Sequence, residues 1–200
     1  MRLMNFSILG VAGLTAFAVY APMTAPPKIA VDVSVNEDKA IKLDVDNRTW
    51  KCPTCNENEQ YVLEKLQEKT KISDRNALAT IMGNIKQESK FIPDICEGGA
   101  RVTYDNCHTG GYGLIQWTSV NRYRNLGLFA KRYGYDPSTL EGQTMYMINE
   151  SVFRRYLAEF EGRGRTVSQY MVPAYYWLGW GIKGNREVYA YNYTKKLVLS

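Results

Sequence analysis

The sequence predicts a mainly helical protein of the α+β class. Apolar residues recur at helical spacing from residue 57 onward, and Gly or Asp-Pro breaks separate the periodic runs. Size bounds the answer further. Two hundred residues, 45% hydrophobic and 22% charged, suffice for one globular domain with a sizeable core and are too few for two ordinary enzyme domains.

The N-terminal stretch is set apart by its lack of charge. Residues 3–27 carry no charged side chain and follow Arg2, a positive start leading into an apolar run. As a helix at ~1.5 Å per residue, residues 3–21 reach roughly 28 Å, just short of a hydrocarbon core of about 30 Å. The segment, residues 1–27, reads as a removable signal or as a weak uncleaved anchor, with a buried N-terminal helix as the alternative; the first two readings export the rest of the chain. Residues 28–56 form a short β-type spacer. Alternating Ile29, Val31, Val33, Val35 and Ile41, Leu43, Val45 flank Asn36-Glu37-Asp38-Lys39, a hairpin pattern.

Residues 57–200 make the helical domain. A first helix over 57–70 places Tyr61, Val62 and Leu66 at helical spacing, and Ser73 is the expected N-cap of a second holding Ala77, Leu78, Ile81, Met82 and Ile85. Thr118 or Ser119 caps a third that runs to Tyr133 and stops at Gly134. One long helix is predicted over 140–160, ended by Gly162 and Gly164. Thr166 opens another with Val172, Tyr176 and Trp177 on its apolar side, and Asn185 caps the last, which contains Val188, Tyr189 and Leu197.

Counts of ionisable residues exclude several chemistries. His108 is the single histidine, so multi-histidine metal sites and two-histidine mechanisms are ruled out, and acid–base work falls to the 20 carboxylates. Residues 57–200 carry 19 basic against 15 acidic side chains. That excess favours an anionic partner but is too mild and scattered for nucleic acid. The cluster Arg154, Arg155, Arg163 and Arg165 fits an anionic polymer or a membrane surface, or else a solvated face.

One carboxylate stands in an unusual place. On the stripe Leu78, Ile81, Ile85 the next helical position is Glu88, so an acid continues the face expected to be buried. Burial and the negative end of the helix dipole both favour its neutral, protonated form, which is what a general acid requires. The competing reading pairs Glu88 with Lys86, Lys90 or an arginine at a frayed helix end.

Two motifs frame this residue: Gln87-Glu88-Ser89-Lys90-Phe91-Ile92-Pro93 and, about twenty residues later, Gly110-Gly111-Tyr112-Gly113-Leu114-Ile115-Gln116-Trp117. The pair resembles the lysozyme-like superfamily, in particular the phage tail lysozymes and, more distantly, goose-type lysozymes and lytic transglycosylases. Ala79-x-x-Met82-Gly83-Asn84-Ile85 and the Asp136-Pro137-Ser138-x-Leu140 break are similar to the same family. The resemblance spans residues 57–200 and implies a lysozyme-like fold with a small hairpin at the cleft. It makes Glu88 the general acid that cleaves between N-acetylmuramic acid and N-acetylglucosamine. Tyr112, Gly113, Gln116 and Trp117 then become sugar-binding candidates, the two aromatics being equally readable as core.

A second carboxylate is expected between the motifs. Glu97 leads, because the interval from Glu88 to Glu97 to Thr103 matches the Glu, Asp, Thr spacing of T-even phage lysozymes with Glu in place of Asp; Asp105 and Thr103 follow. Without such a base, the substrate's own C6 hydroxyl attacks and an anhydro product results, as in lytic transglycosylases. The Ala-Tyr-Asn type motif of those enzymes is only partly matched by Ala174-Tyr175-Tyr176. The implied enzyme is a muramidase of endolysin or virion type that needs no cofactor or catalytic metal and acts in the periplasm, from the inner membrane, or from the virion. A non-catalytic wall-binding phage protein that kept the fold is the alternative from another class.

The four cysteines admit two readings. Cys52-Pro53-Thr54-Cys55 has zinc-knuckle spacing, which Cys96 and Cys107 would complete as a structural site. Export favours oxidation instead, with Cys96–Cys107 the preferred bridge, contributing about 2–3 kcal/mol, and Cys52 and Cys55 joined to each other or to a neighbour.

Overall fold

A computed structural model of the chain describes residues 49–108 and 110–200, all within one compact unit, Val45–Ser200. The uncharged segment and the hairpin expected at 29–45 lie outside the described residues. Among the described residues no helix is long and apolar enough to cross a membrane.

Among the described residues seven helices form the body, in keeping with the α+β expectation. They are α1 (Glu57–Lys69), α2 (Arg75–Ser89), α3 (Val120–Tyr133), α4 (Leu140–Asn149), α5 (Ser151–Glu161), α6 (Val167–Leu178) and α7 (Arg186–Lys196). Strands β1 (Trp50–Lys51) and β2 (Val198–Leu199) pair antiparallel, with Trp50 opposite Leu199, and so tie the two ends of the unit together. Most of the helix ends follow from the sequence. Asn56 and Glu59 close a capping box on α1, Ser119 caps α3, and Gly134 and Gly179 end α3 and α6 in the left-handed region that glycine adopts without strain.

Three local expectations are corrected. Asp74, not Ser73, caps α2, because its carboxylate reaches the amides of both Asn76 and Ala77. The long helix over 140–160 is two helices, broken at Glu150. That residue is extended, and its buried carboxylate turns inward to a bidentate pair with Arg122, at 2.6 and 2.7 Å. On α6, Trp177 is buried as expected, while Val172 and Tyr176 point to solvent.

Helix α2 is the axis of the core. Every residue from Ala77 to Ile85 is buried, with α7, α6, α1 and α5 around it. Gly83 permits its closest approach: a Cβ there would lie 2.4 Å from the backbone nitrogen of Ala190 on α7. The α2–α7 seam is reinforced below by Glu59, a nearly inaccessible carboxylate on α1 that accepts from Lys86 (2.8 Å), Tyr193 (2.6 Å) and the Asn56 amide (3.0 Å). Burial alone would raise its pKa, but the hydrogen bonds from Lys86, Tyr193 and Asn56 outweigh that and hold it below the usual carboxylate range. Burial and this same carboxylate push the Tyr193 phenol well up.

Candidate active site

The C-terminal turn of α2 opens into the loop that carries the first motif. Lys90 and Phe91 follow Glu88 with φ of 54° and 65°, and Gln116 in the second motif has φ of 53°; these are the non-glycine residues of positive φ among those described. Such conformations cost of order 1–3 kcal/mol each and persist where surrounding structure over-determines them, commonly at functional sites. The over-determination is visible. Ser89 Oγ donates to the Leu114 carbonyl (2.7 Å) and accepts from the Phe91 amide (3.1 Å), while Asn58 donates to the Phe91 carbonyl (2.9 Å) and the Phe91 ring is wholly buried. The serine of the first motif thereby binds it to the leucine of the second.

A buried residue that sequence reasoning missed completes the junction. Gln143 on α4 accepts from the Leu114 amide (2.7 Å) and donates to the carbonyls of Pro93 (2.7 Å) and Pro137 (2.8 Å). Three loops distant in sequence meet on one amide. Gly113 makes room for it, since a Cβ there would fall 2.3 Å from Gln143 Oε1, and its φ of 71° is itself left-handed. No periodicity signals Gln143, which sits on a short helix among apolar neighbours.

Glu88 lines a cleft of about 710 Å³ whose one wall is Ile115, Gln116, Thr118, Ser119 and Arg122 and whose other is Leu178 to Ile182 and Arg186. It is not the unpaired buried acid expected from the stripe. Its side chain is 15% exposed, and Oε1 accepts a charge-assisted hydrogen bond from Arg186 Nη2. Arg186 is itself fixed: Nη1 donates to the carbonyls of Ile182 (2.7 Å) and Lys183 (2.9 Å), and the guanidinium lies 4.7 Å over the Trp180 ring. The competing sequence reading, an arginine partner, is the one observed, although the arginine is 98 residues away.

The other predicted site residues divide. Gln116 reaches the cleft, its amide folded back onto the Gly113 carbonyl (3.0 Å). Gly113 serves the Gln143 junction. Tyr112 and Trp117 are fully buried: Tyr112 donates to the Val102 carbonyl (3.2 Å) and Trp117 stacks at a tilt on Tyr146, so neither ring face is open to a sugar. Glu97 is exposed on the turn closed by the Ile95–Arg101 bridge, where it accepts from the Gly111 amide (3.1 Å); Asp105 is exposed in a short 3-10 turn, and Thr103 accepts from Asn106 (2.7 Å). None of these three lines the cleft, and among the described residues Glu88 is its only acid. Trp180, Arg186 and Arg122 line it without having been foreseen. A smaller hollow of about 410 Å³ at the other end of α2 holds Asp74, but that carboxylate is occupied by capping and by the Gly164 amide (2.8 Å).

The cysteines are joined as Cys52–Cys55 and Cys96–Cys107, which resolves the zinc alternative in favour of disulfides; the second bridge braces the turn that carries Glu97. A family model described as phage tail lysozyme matches residues 57–172. The chain belongs to the phage tail lysozyme family. No curated protein and no solved structure matches it. Membership carries with it a lysozyme-like activity directed at peptidoglycan in kind. The match takes in Glu88, Gln116 and Gln143 and ends before Trp180 and Arg186.

Proposed function

We propose that this phage tail lysozyme cleaves the bond between N-acetylmuramic acid and N-acetylglucosamine, with Glu88 as the general acid. The observation that supports the reading is the position of Glu88: the single acid among the described residues lining a large cleft, beside a strained and heavily braced turn, in a chain of this family. The guanidinium of Arg186 holds the Glu88 carboxyl in one orientation. Loosening that contact frees the carboxyl to reach the glycosidic oxygen. A sugar ring that stacks on Trp180 competes with the guanidinium now lying over it, so substrate arrival and release of the acid are linked.

One feature favours a second outcome of the same cleavage. With Glu97 and Asp105 outside the cleft lining, no second carboxylate among the described residues lines the cleft to activate water; attack by the substrate's own C6 hydroxyl needs none, because its proton passes to the Glu88 carboxylate that has just protonated the leaving oxygen. Digestion of purified peptidoglycan by the full chain, followed by mass spectrometry, separates the two: reducing ends mark hydrolysis, and products lighter by one water mark the anhydro route. Glu88→Gln is expected to lower either by at least about 10²-fold. A fully active Glu88→Gln protein overturns the mechanism.

We further propose an oxidising, exported location, on the strength of both disulfides together with the apolar N-terminal segment.

A further inference from the structure

Aromatic rings continue out of the cleft over the surface of α6. Trp180, in the cleft wall, meets Tyr175 edge to face with centroids 5.4 Å apart; Tyr175 meets Tyr176 at 5.3 Å; Tyr176 stacks on Tyr156 of α5 at 5.8 Å. Tyr175 and Tyr176 are 47% and 57% exposed, unusual for rings on a helix whose opposite side is core. Among the described residues no hydrogen bond engages the hydroxyls of Tyr156, Tyr175 or Tyr176, whereas the buried tyrosines 112, 146, 170 and 193 are all engaged. Arg154 and Arg155, exposed and without an ion pair among the described residues, directly precede Tyr156.

We propose that Trp180, Tyr175, Tyr176 and Tyr156 form an extended binding track for the glycan strand on one side of the scissile bond, resting on the reading of the cleft as a peptidoglycan-cleaving site. The occupant follows from the chemistry. Pyranose rings present apolar C–H faces to aromatic faces and hydroxyls to phenols. A lipid or a protein core would be better met by aliphatic side chains than by three tyrosines with free hydroxyls. Continuity with the cleft through Trp180 gives the strand its path, and Arg154 and Arg155 supply positive charge for the carboxylates that peptidoglycan carries.

The test uses the full chain and two readouts. In a Glu88→Gln background, which separates binding from cleavage, Tyr175→Ala combined with Tyr176→Ala is expected to weaken co-sedimentation with purified peptidoglycan about tenfold. Tyr175→Phe with Tyr176→Phe is expected to restore most of it, because the ring faces remain. In the active chain the alanine pair lowers the ratio of kcat/KM on long glycan strands to that on disaccharide-repeat tetramers. Both side chains are largely exposed, so an unchanged melting temperature checks the fold. An unaltered ratio together with unaltered sedimentation overturns the track. So does a phenotype confined to self-association or to phospholipid vesicles. If the wild-type chain cleaves nothing, the cleavage reading fails, while the sedimentation arm still reports on the track.

Discussion

The two walls of the cleft are built on different principles. One wall, from Glu88 through Gln116 to Arg122, lies inside the residues matched by the family model and is locked from beneath by Ser89, Asn58 and Gln143. The other, Leu178 to Arg186, lies beyond that match. It contains Gly179, Gly181 and Gly184, exposes Ile182 at 83%, and is held by few side chains, chiefly Arg186 on two of its carbonyls and Gln87 on the Asn185 amide (2.9 Å). The first wall positions the reacting group. The second presents an aromatic surface and a cation to whatever enters, and the ion pair between Arg186 and Glu88 joins the two.

That ion pair is the first place to break the comparison. Arg186→Ala removes the partner of a mostly buried carboxylate and frees two loop carbonyls, and is expected to cost about 3–5 kcal/mol in urea unfolding. Arg186→Lys, unable to bridge Glu88 and both carbonyls with the same planar geometry, should recover only part of it. Equal stability of all three proteins would mean that the second wall is held by something else.

A smaller effect is expected beneath the seam. Glu59 is hydrogen-bonded in its charged form, so its folded pKa is depressed and its contribution is complete above the ordinary carboxylate pKa and lost as pH falls through the lowered value. Glu59→Gln should therefore cost about 2–3 kcal/mol near neutral pH, and the gap to wild type should shrink below about pH 4. Denaturant melts at the two pH values check the sign; a gap that widens in acid contradicts the assignment. The smallest effect belongs to Glu97→Gln. An exposed bond to the Gly111 amide is worth at most about 1 kcal/mol, and peptidoglycan turnover should stay within a few fold of wild type. A loss matching that of Glu88→Gln would return Glu97 to the role its spacing implied.

Legibility in the sequence followed the range of the interactions. Helix periodicity, the caps at Ser119, Thr166 and Gly134, and the two motifs around Glu88 are local patterns, and each was readable. Glu97 and Trp117 show where local pattern stops. Spacing gives Glu97 its interval from Glu88 but not the surface it lies on, and an aromatic after a glycine-rich turn looks alike whether its ring faces a sugar or, as the core reading of Trp117 has it, Tyr146.

The sequence by itself determined the helical body, the acid at the end of its central helix and the glycine-rich turn of the second motif, because capping, periodicity and left-handed glycines act over a few residues. Tertiary structure alone decided what the acid touches. Arg186 comes from a helix 98 residues away from Glu88 and is brought to it by the close crossing of α2 and α7 at Gly83, while Gln143, 55 residues away, braces the loops beside it where three of them meet on its buried amide. Whether a carboxylate stands alone or paired, and whether a ring is core or platform, depends on such long-range contacts, which leave no periodic trace in the chain.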